Sequence, residues 1–463
     1  MKTELHNYDI FPKVLPAGKT SSITIKPLGW HAAFKRGANY KLAIHPVNEG
    51  HPDFYTDRRN KFVYEVQPDE EGCIRFEFDF FSEQQYFIDI LDDEYHPVVQ
   101  LCVYAILDDL VGRYPLRGDL HLHSKGSDGL QAPEIMCAYY RKTGYDFLAI
   151  TDHRRYYPSL DAIRAYSGIP IELAIIPGEE IHLPAGSERE YFNEVHIVNF
   201  GGEYSINALI EGEHFYHTYR EGETVEPRSI VPDCPDTMTK EEYWKMVNEY
   251  AKNLDIPQGI EKFQYASCHW IFNEIRKANG LGILCHPYWV IATGHQVPPD
   301  FTEYMMKTQP FDAYEVLGGG LNFEWFGIQA LSYYEDRIKG RVYPIVGSTD
   351  SHSSFDNNSS HVSSTIVFAE KNDRTHIIDA IKSFYSVAVD SRSHEWRYVG
   401  DLRLVKYACF LEKEFFPLHD DLCYEEGRAM KDYICGVSGA AEILKCISGR
   451  VQKQREKYFK FTV

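Results

Sequence analysis

The stretch RGDLHLHSKGSDG (Arg117–Gly129) sets His121 and His123 two residues apart. On a strand, residues i and i+2 project from one face, so the two imidazoles share a side and Leu122 turns the other way. Held together, they need water, a carboxylate or a metal, because protonating both would place like charges side by side. The spacing recurs in TDSH, at Asp350 and His352. Between these two pairs lie Asp128, then TDH (Asp152, His153), PGEE (Glu179, Glu180), EVHIV (His196), CHP (His286) and AYEVL (Glu315). Each sits in or at the end of a short apolar run. Histidine is only 20 of 463 residues, so this recurrence is not what scattered surface histidines would give. Any one of them alone reads as well as a hydrogen-bonded core or loop residue. Together, neutral imidazoles and carboxylates able to bridge ions are the ligand chemistry of a multinuclear divalent centre. Cys285, beside His286, is expected to point away from it.

The elements that must position these residues follow from the same runs. From Arg117 on, GDLHLH, YDFLAITDH, IELAIIPGEEI, EVHIVNF, LGILCHPYW, FDAYEVLG and VYPIVGSTDSH alternate with helical patterns such as APEIMCAYYRKTG and SLDAIRAYSG. Apolar runs with little alternation suit strands buried on both faces. Seven strands alternating with helices predict a parallel α/β barrel, whose ligands gather at the C-terminal strand ends. The stretch Gly201–Gly280 interrupts the rhythm and reads equally as a cap over the mouth or as a peripheral helical pair. STIVFAEKNDRTHIIDAIKSFYSVAVD then reads as a closing strand, helix and strand.

The first part of the chain is different. SSITIKPL, NYKLAIHPV, KFVYEVQPD, CIRFEFDF, QYFIDIL and VVQLCVYAIL recur about every dozen residues. In IRFEFDF, Ile74, Phe76, Phe78 and Phe80 face one way and Arg75, Glu77 and Asp79 the other. The expected organisation is a β-sandwich over 1–112, a barrel over 113–395 with a helical insertion at about 201–280, and a partly helical extension over 396–463 packed on the barrel. RVQKQREK near the end reads as a solvated helix face.

A formal net charge of −20 gives no general attraction to nucleic acid or anionic lipid. The N-terminus lacks the apolar core of a secretory signal, and no apolar run reaches the ~18 residues of a membrane span. Ten scattered cysteines without a CxxC pair suit reduced thiols and point to the cytoplasm.

HLHSKGSD, TDH, PGEEI, EVHIV, CHP and STDSH, in this order, resemble the PHP family, named for polymerase and histidinol phosphatase. The resemblance covers roughly 116–395. It implies a distorted (β/α)7 TIM-like barrel binding two or three divalent ions. The implied ligands are His121, His123, Asp128, His153, Glu180, His196, His286, Asp350 and His352. Manganese, iron or zinc would suit them, and magnesium is compatible. The implied activity is phosphoester hydrolysis by a metal-bridged hydroxide, on a small phosphorylated metabolite rather than nucleic acid. Arg154, Arg155 and Lys125 are candidates to grip the phosphate. Asp152, Glu179 and Glu315 are candidates to support the ligands. The alternatives are a phosphodiesterase or exonuclease acting on nucleotides or short nucleic acid, and a non-catalytic metal-binding interaction module. Substrate, metal and oligomeric state stay open at this level.

Overall fold

The structure is a computed structural model that describes residues 4–49, 62–183, 195–211, 228–291, 294–318, 323–353, 363–390, 397–459 and 461. It is a mixed α/β chain that divides into two compact units. The first unit comprises Met1–Tyr114, Leu402–Leu422 and Gly449–Val463. Its strands are β1 (Tyr8–Phe11), β2 (Val14–Pro16), β3 (Lys19–Pro27), β4 (Tyr40–Pro46), β5 (Val63–Val66), β6 (Ile74–Phe80), β7 (Gln84–Leu91) and β8 (Pro97–Ile106). They form one sheet in the order β1-β3-β6 and another in the order β2-β8-β7-β4-β5. In β6, Ile74, Phe78 and Phe80 are buried while Arg75, Glu77 and Asp79 are exposed, the period-2 pattern of a half-buried strand. Both sheets contribute to one apolar cluster that includes Ile23, Ile25, Leu42, Ile44, Phe80, Ile88 and Val103.

The second unit comprises Pro115–Asp401 and Cys423–Ser448. Its strands are β9 (Tyr114–Leu122), β10 (Phe147–Ile150), β11 (Ala174–Ile176), β12 (Gly178–Ile181), β13 (Ile197–Phe200), β14 (Leu281–Leu284), the short pair β15 (Val290–Ile291) and β16 (Gly294–His295), β17 (Ala313–Leu317), β18 (Ile345–Gly347), β19 (Ser363–Ala369), β20 (Ser386–Asp390) and β21 (Arg397–Val399). One sheet has the order β11-β10-β9-β19-β20-β21 and the other β12-β13-β14-β17-β18. Isolated parallel bridges, His153 to Glu180 and Leu122 to Ser351, tie strand ends of the first sheet to those of the second. The helix Pro133–Lys142, with proline in its first turn, packs Met136, Cys137 and Tyr140 into a cluster with Leu122, Leu148 and Ile150.

Three expectations change. The strands are not all parallel: β13 runs antiparallel to both β12 and β14. The run IELAIIPGEEI is not one strand. It breaks at Pro177, which has no amide for a ladder, and its halves join different sheets. The residues after 396, expected as an extension on the second domain, are divided between the two units. Ala429, Met430 and Leu444 join the Met136 cluster, whereas Arg403 pairs with Glu83 and Asp109 in the first unit. In the helix Arg450–Tyr458, Val451, Arg455 and Tyr458 are buried.

The described part of the insertion is a helical pair, Lys240–Ala251 and Lys262–Lys277. Tyr243 of the first helix packs on Phe263 and Trp270 of the second and meets Ser267 Oγ at 2.6 Å. Residues 212–227 of the insertion, and the expected domain end at 395, lie outside the described residues.

Candidate metal centre

β9 is buried along nearly its whole length, and His121 and His123 at its end have no solvent exposure. Asp350 N–H donates to His121 O and His123 N–H to Ser351 O, each at 2.8 Å. These bonds run the stretch 350–352 alongside the end of β9, so the two i, i+2 pairs stand side by side. The loop after His123 is gathered by Asp152. Its carboxylate accepts from Ser124 N (2.7 Å), Ser124 Oγ (2.5 Å), Ser127 N (3.1 Å) and Ser127 Oγ (2.8 Å). A Cβ on Gly126 would stand 2.3 Å from Asp152 Oδ2, so this close wrap requires glycine. The loop delivers Asp128 to within 3.6 Å of His153 Nε2 and 3.4 Å of His352 Nε2.

Glu179 and Glu180 project from opposite faces of β12. Glu179 accepts from Ser205 Oγ (2.7 Å), Ile206 N (2.5 Å), Asn207 Nδ2 (3.0 Å) and Asn199 Nδ2 (3.3 Å), anchoring the chain that follows β13. Glu180 faces the imidazoles. Its Oε2 lies 2.7 Å from His153 Nδ1, 3.3 Å from His123 Nε2 and 3.4 Å from His121 Nε2. Its Oε1 lies 2.5 Å from His196 Nδ1, 3.6 Å from His182 Nε2 and 3.7 Å from His286 Nε2. His196 precedes β13, and because that strand runs the other way, its N-terminal end reaches the same place as its neighbours' C-terminal ends. Asp350 closes the group, with Oδ1 3.1 Å from His123 Nε2 and 3.4 Å from His121 Nε2, and Oδ2 3.7 Å from His286 Nε2.

The hydrogen bonds on the far sides of these rings decide what the near sides can do. His121 Nδ1 meets Glu315 Oε2 at 2.9 Å, His286 Nδ1 meets Gln296 Oε1 at 3.0 Å, and His352 Nδ1 meets the Asp350 carbonyl at 3.0 Å. All three partners accept, so each Nδ1 carries a proton and each Nε2 is turned inward. Burial would lower these imidazoles, but the carboxylates around them raise all three, so Nε2 offers a lone pair where a cation takes the place of its proton. The Nε2 atoms of His121 and His286 therefore face the carboxylates of Glu180 and Asp350, and that of His352 faces Asp128. The fully buried Glu180 carboxylate is ringed by imidazole nitrogens, the nearest at 2.5 and 2.7 Å, without a well-aligned hydrogen bond to any of them. A cation satisfies this arrangement where hydrogen bonds do not, and the donor set fits divalent metal ions. Compatible groups with mutually close donor atoms include His123, Asp128, His153 and His352; His121, His123 and Glu180; and His121, His286 and Asp350.

The titration directions divide: burial prevails at His123 and His196, whereas against burial the carboxylates raise His121, His153, His286 and His352. Burial, then the neighbouring His153 and His352, push His123 down to about 3. Burial also takes His196 down to about 3 against the pull of Glu180. Burial alone would raise Glu180, but His153, His196 and His121 hold it well below the usual carboxylate range. Arg154, His286 and Asp350 have φ of 58°, 23° and 49°, left-handed values that cost about 1–3 kcal/mol each and cluster where function demands a set geometry.

All nine residues implied as ligands come together. Glu315 stands behind His121, with Cys285 in the same buried group, its thiol donating to Ile283 O at 3.4 Å. Asp152 and Glu179 brace the loops on either side. The three cations differ. Lys125 is exposed on the Asp128 loop, and Arg154 is buried with its N–H donating to Glu180 O at 2.8 Å. Arg155 is wholly buried and donates from Nη1 to Tyr157 OH at 2.7 Å, so it meets an arriving ligand only after rearrangement. Sequence reasoning missed His182, although it is spaced i+2 from Glu180. It also missed Asp119, which accepts from Thr349 Oγ1 (2.5 Å) and His121 N (3.2 Å) beneath the ligand pair. Burial pushes its carboxyl up to about 7.

No family model matches the chain, and no curated protein matches it. Among solved structures, it is similar to a two-domain protein from Bacteroides vulgatus containing a predicted PHP-like metal-dependent phosphoesterase. The identity is 17%, covering 65% of this chain and 71% of that one, with a TM-score of 0.39. It is also similar to a candidate metal-dependent phosphoesterase from Bifidobacterium adolescentis, at 15% identity over 52% of this chain and 89% of that one, with a TM-score of 0.32. A third likeness is an amidohydrolase from Chromobacterium violaceum with bound sulfate and no metal, at 17% identity, the same coverages and a TM-score of 0.30.

Proposed function

We propose that the second unit is a metal-dependent phosphoesterase of the PHP type, acting on a small phosphomonoester. The observation that carries this reading is the convergence of imidazole nitrogens on the carboxylates of Glu180, which is buried, and Asp350, which is partly buried. His121, His123, Asp128, His153, Glu180, His196, His286, Asp350 and His352 would hold two or three divalent ions, of which manganese, iron and zinc suit the mixed donors best. Such ions supply Lewis acidity and activate water, the help that slow phosphoester hydrolysis needs. We read the ring of β9, β10, β12, β13, β14, β17 and β18, linked by the two isolated bridges, as a distorted seven-stranded barrel, and the two sheets of the first unit as a sandwich.

The residues around the centre would orient the substrate. Side-chain exposure rises from none at His121 and Glu180 to 39% at His352 and 46% at Asp128, which makes the Asp128 side the entrance. Lys125 stands there as a point charge for phosphate. Arg154, beside His153, is the better placed of the two arginines, and Arg155 would serve packing. Glu315 and Gln296 hold the proton on His121 and His286 Nδ1 and so keep both Nε2 atoms turned inward. The net charge of −20 favours a small substrate over a nucleic acid strand. Ten cysteines, none of them in a disulfide, support a reducing compartment such as the cytoplasm. Among the described residues, no helix is long and apolar enough to cross a membrane.

The test is hydrolysis of an aryl phosphomonoester and an aryl phosphodiester by protein stripped with chelator and reloaded with each metal in turn. The expected result is turnover of the monoester that appears only on reloading. Turnover of the diester alone would replace the monoesterase reading, and turnover of neither would contradict phosphoesterase function.

A further inference from the structure

His182 is absent from the ligand set implied by the family resemblance, yet the geometry brings it into the centre. In the β12–β13 pair, Ile181 stands opposite Ile197. The next residues outward, His182 and His196, therefore fall opposite each other, with ring centroids 4.1 Å apart. The backbone N–H of His182 donates to Asn207 Oδ1 at 3.3 Å, and Asn207 Nδ2 donates to Glu179 Oε2 at 3.0 Å, so the end of β12 is tied in place. His182 Nε2 lies 3.0 Å from His153 Nδ1 and 3.6 Å from Glu180 Oε1. The same carboxylate approaches His153 Nδ1 at 2.7 Å and His196 Nδ1 at 2.5 Å. Ligands on one ion with bonds of about 2.1 Å stand roughly 3.0–3.4 Å apart in octahedral or tetrahedral geometry, close to the separations of His182 from its two neighbours.

We propose that His182 is itself a metal ligand, sharing with His153, His196 and Glu180 a nitrogen-rich position of the centre. The inference rests on the metal-centre reading above. Three imidazoles to one carboxylate make this position better suited to zinc or iron than to magnesium, which prefers oxygen. The rival role is positional: His182 Nε2 would merely accept a hydrogen bond from His153 Nδ1–H.

The experiment is elemental analysis of wild type, His182→Ala and His182→Gln, each loaded with excess zinc and desalted, with far-UV circular dichroism and thermal unfolding on the same samples. The expected result is about one ion fewer per chain in both variants, with an unchanged fold. Gln retains an acceptor for His153, so recovery of the full count in His182→Gln would overturn the ligand assignment in favour of positioning. A full count in both variants would overturn it as well. If the wild type itself holds no ion, the reading of the whole centre falls and His182 with it. If the wild type holds its ions and the variants match it, only the His182 assignment falls.

Discussion

The strands β6 and β9 put polar residues to opposite uses. In β6, Arg75, Glu77 and Asp79 face water, and the strand is held by Ile74, Phe78 and Phe80 on its other side. In β9, Arg117, Asp119 and His121 are buried with the leucines around them. The polar residues of β6 cost nothing to hydrate, whereas a polar group buried without a partner costs about 1–3 kcal/mol. The core between the two sheets of the first unit is therefore held by apolar contact. The second carries a cluster of imidazoles and carboxylates that packing does not reward. Such a cluster suits a bound cation, which is the physical reason to propose the chemistry there.

This contrast can be broken at either end. The largest effect is expected from His121→Ala combined with His123→Ala. Metal and turnover should fall to the level of chelated protein, while the first unit, whose core contains neither residue, stays folded by circular dichroism. Full turnover in that variant would remove β9 from the site. The converse change is Ile88→Ala in the first unit, a fully buried side chain. It should cost about 2–5 kcal/mol in chemical denaturation and leave the metal count per chain unchanged. A loss of metal there would show that the two regions are not independent in the way β6 and β9 suggest.

Smaller effects sharpen the account of the second unit. Glu315→Gln weakens the acceptor on His121 Nδ1 without touching a lone pair aimed inward. Metal affinity, measured by competition with a chromophoric chelator, should drop about 10–100-fold. The smallest effect lies away from the centre, at His269 in the helix Lys262–Lys277, which contacts Tyr250 OH at 2.6 Å. Burial, then Arg276, lower its pKa. A histidine depressed in the folded state contributes stability that is present above its unfolded pKa and is lost as pH falls through the folded value. Between about pH 7 and pH 5, thermal unfolding of the wild type should decline more steeply than that of His269→Gln. Equal slopes would remove His269 from the acid response.

The sequence made most of this second unit readable because periodicity reports faces. The i, i+2 rule brings His121 beside His123, and the structure sets Asp350 against both rings. The same rule applies to Glu180 and His182, but the run IELAIIPGEEI stops at Ile181, one residue short of His182, and its break at Pro177 sends β11 and β12 to different sheets. Strand direction was not readable at all. Alternation looks the same whichever way a strand runs, so β13 carried His196 from its N-terminal end without any local signal. β1 and β2, four and three residues long, are too short to show a period. The burial of Arg155 depends on Tyr157 and the packing around it, which a basic pair after TDH does not reveal. The division of the C-terminal helices between the two units rests on long-range contacts of the same kind.

The central claim is that the converging imidazole nitrogens around Glu180 and Asp350 hold ions, and metal content tests it most directly. Protein purified without chelator and then loaded with manganese, iron or zinc should retain at least two ions per chain after desalting, as counted by elemental analysis. Less than one equivalent with every metal would contradict the account.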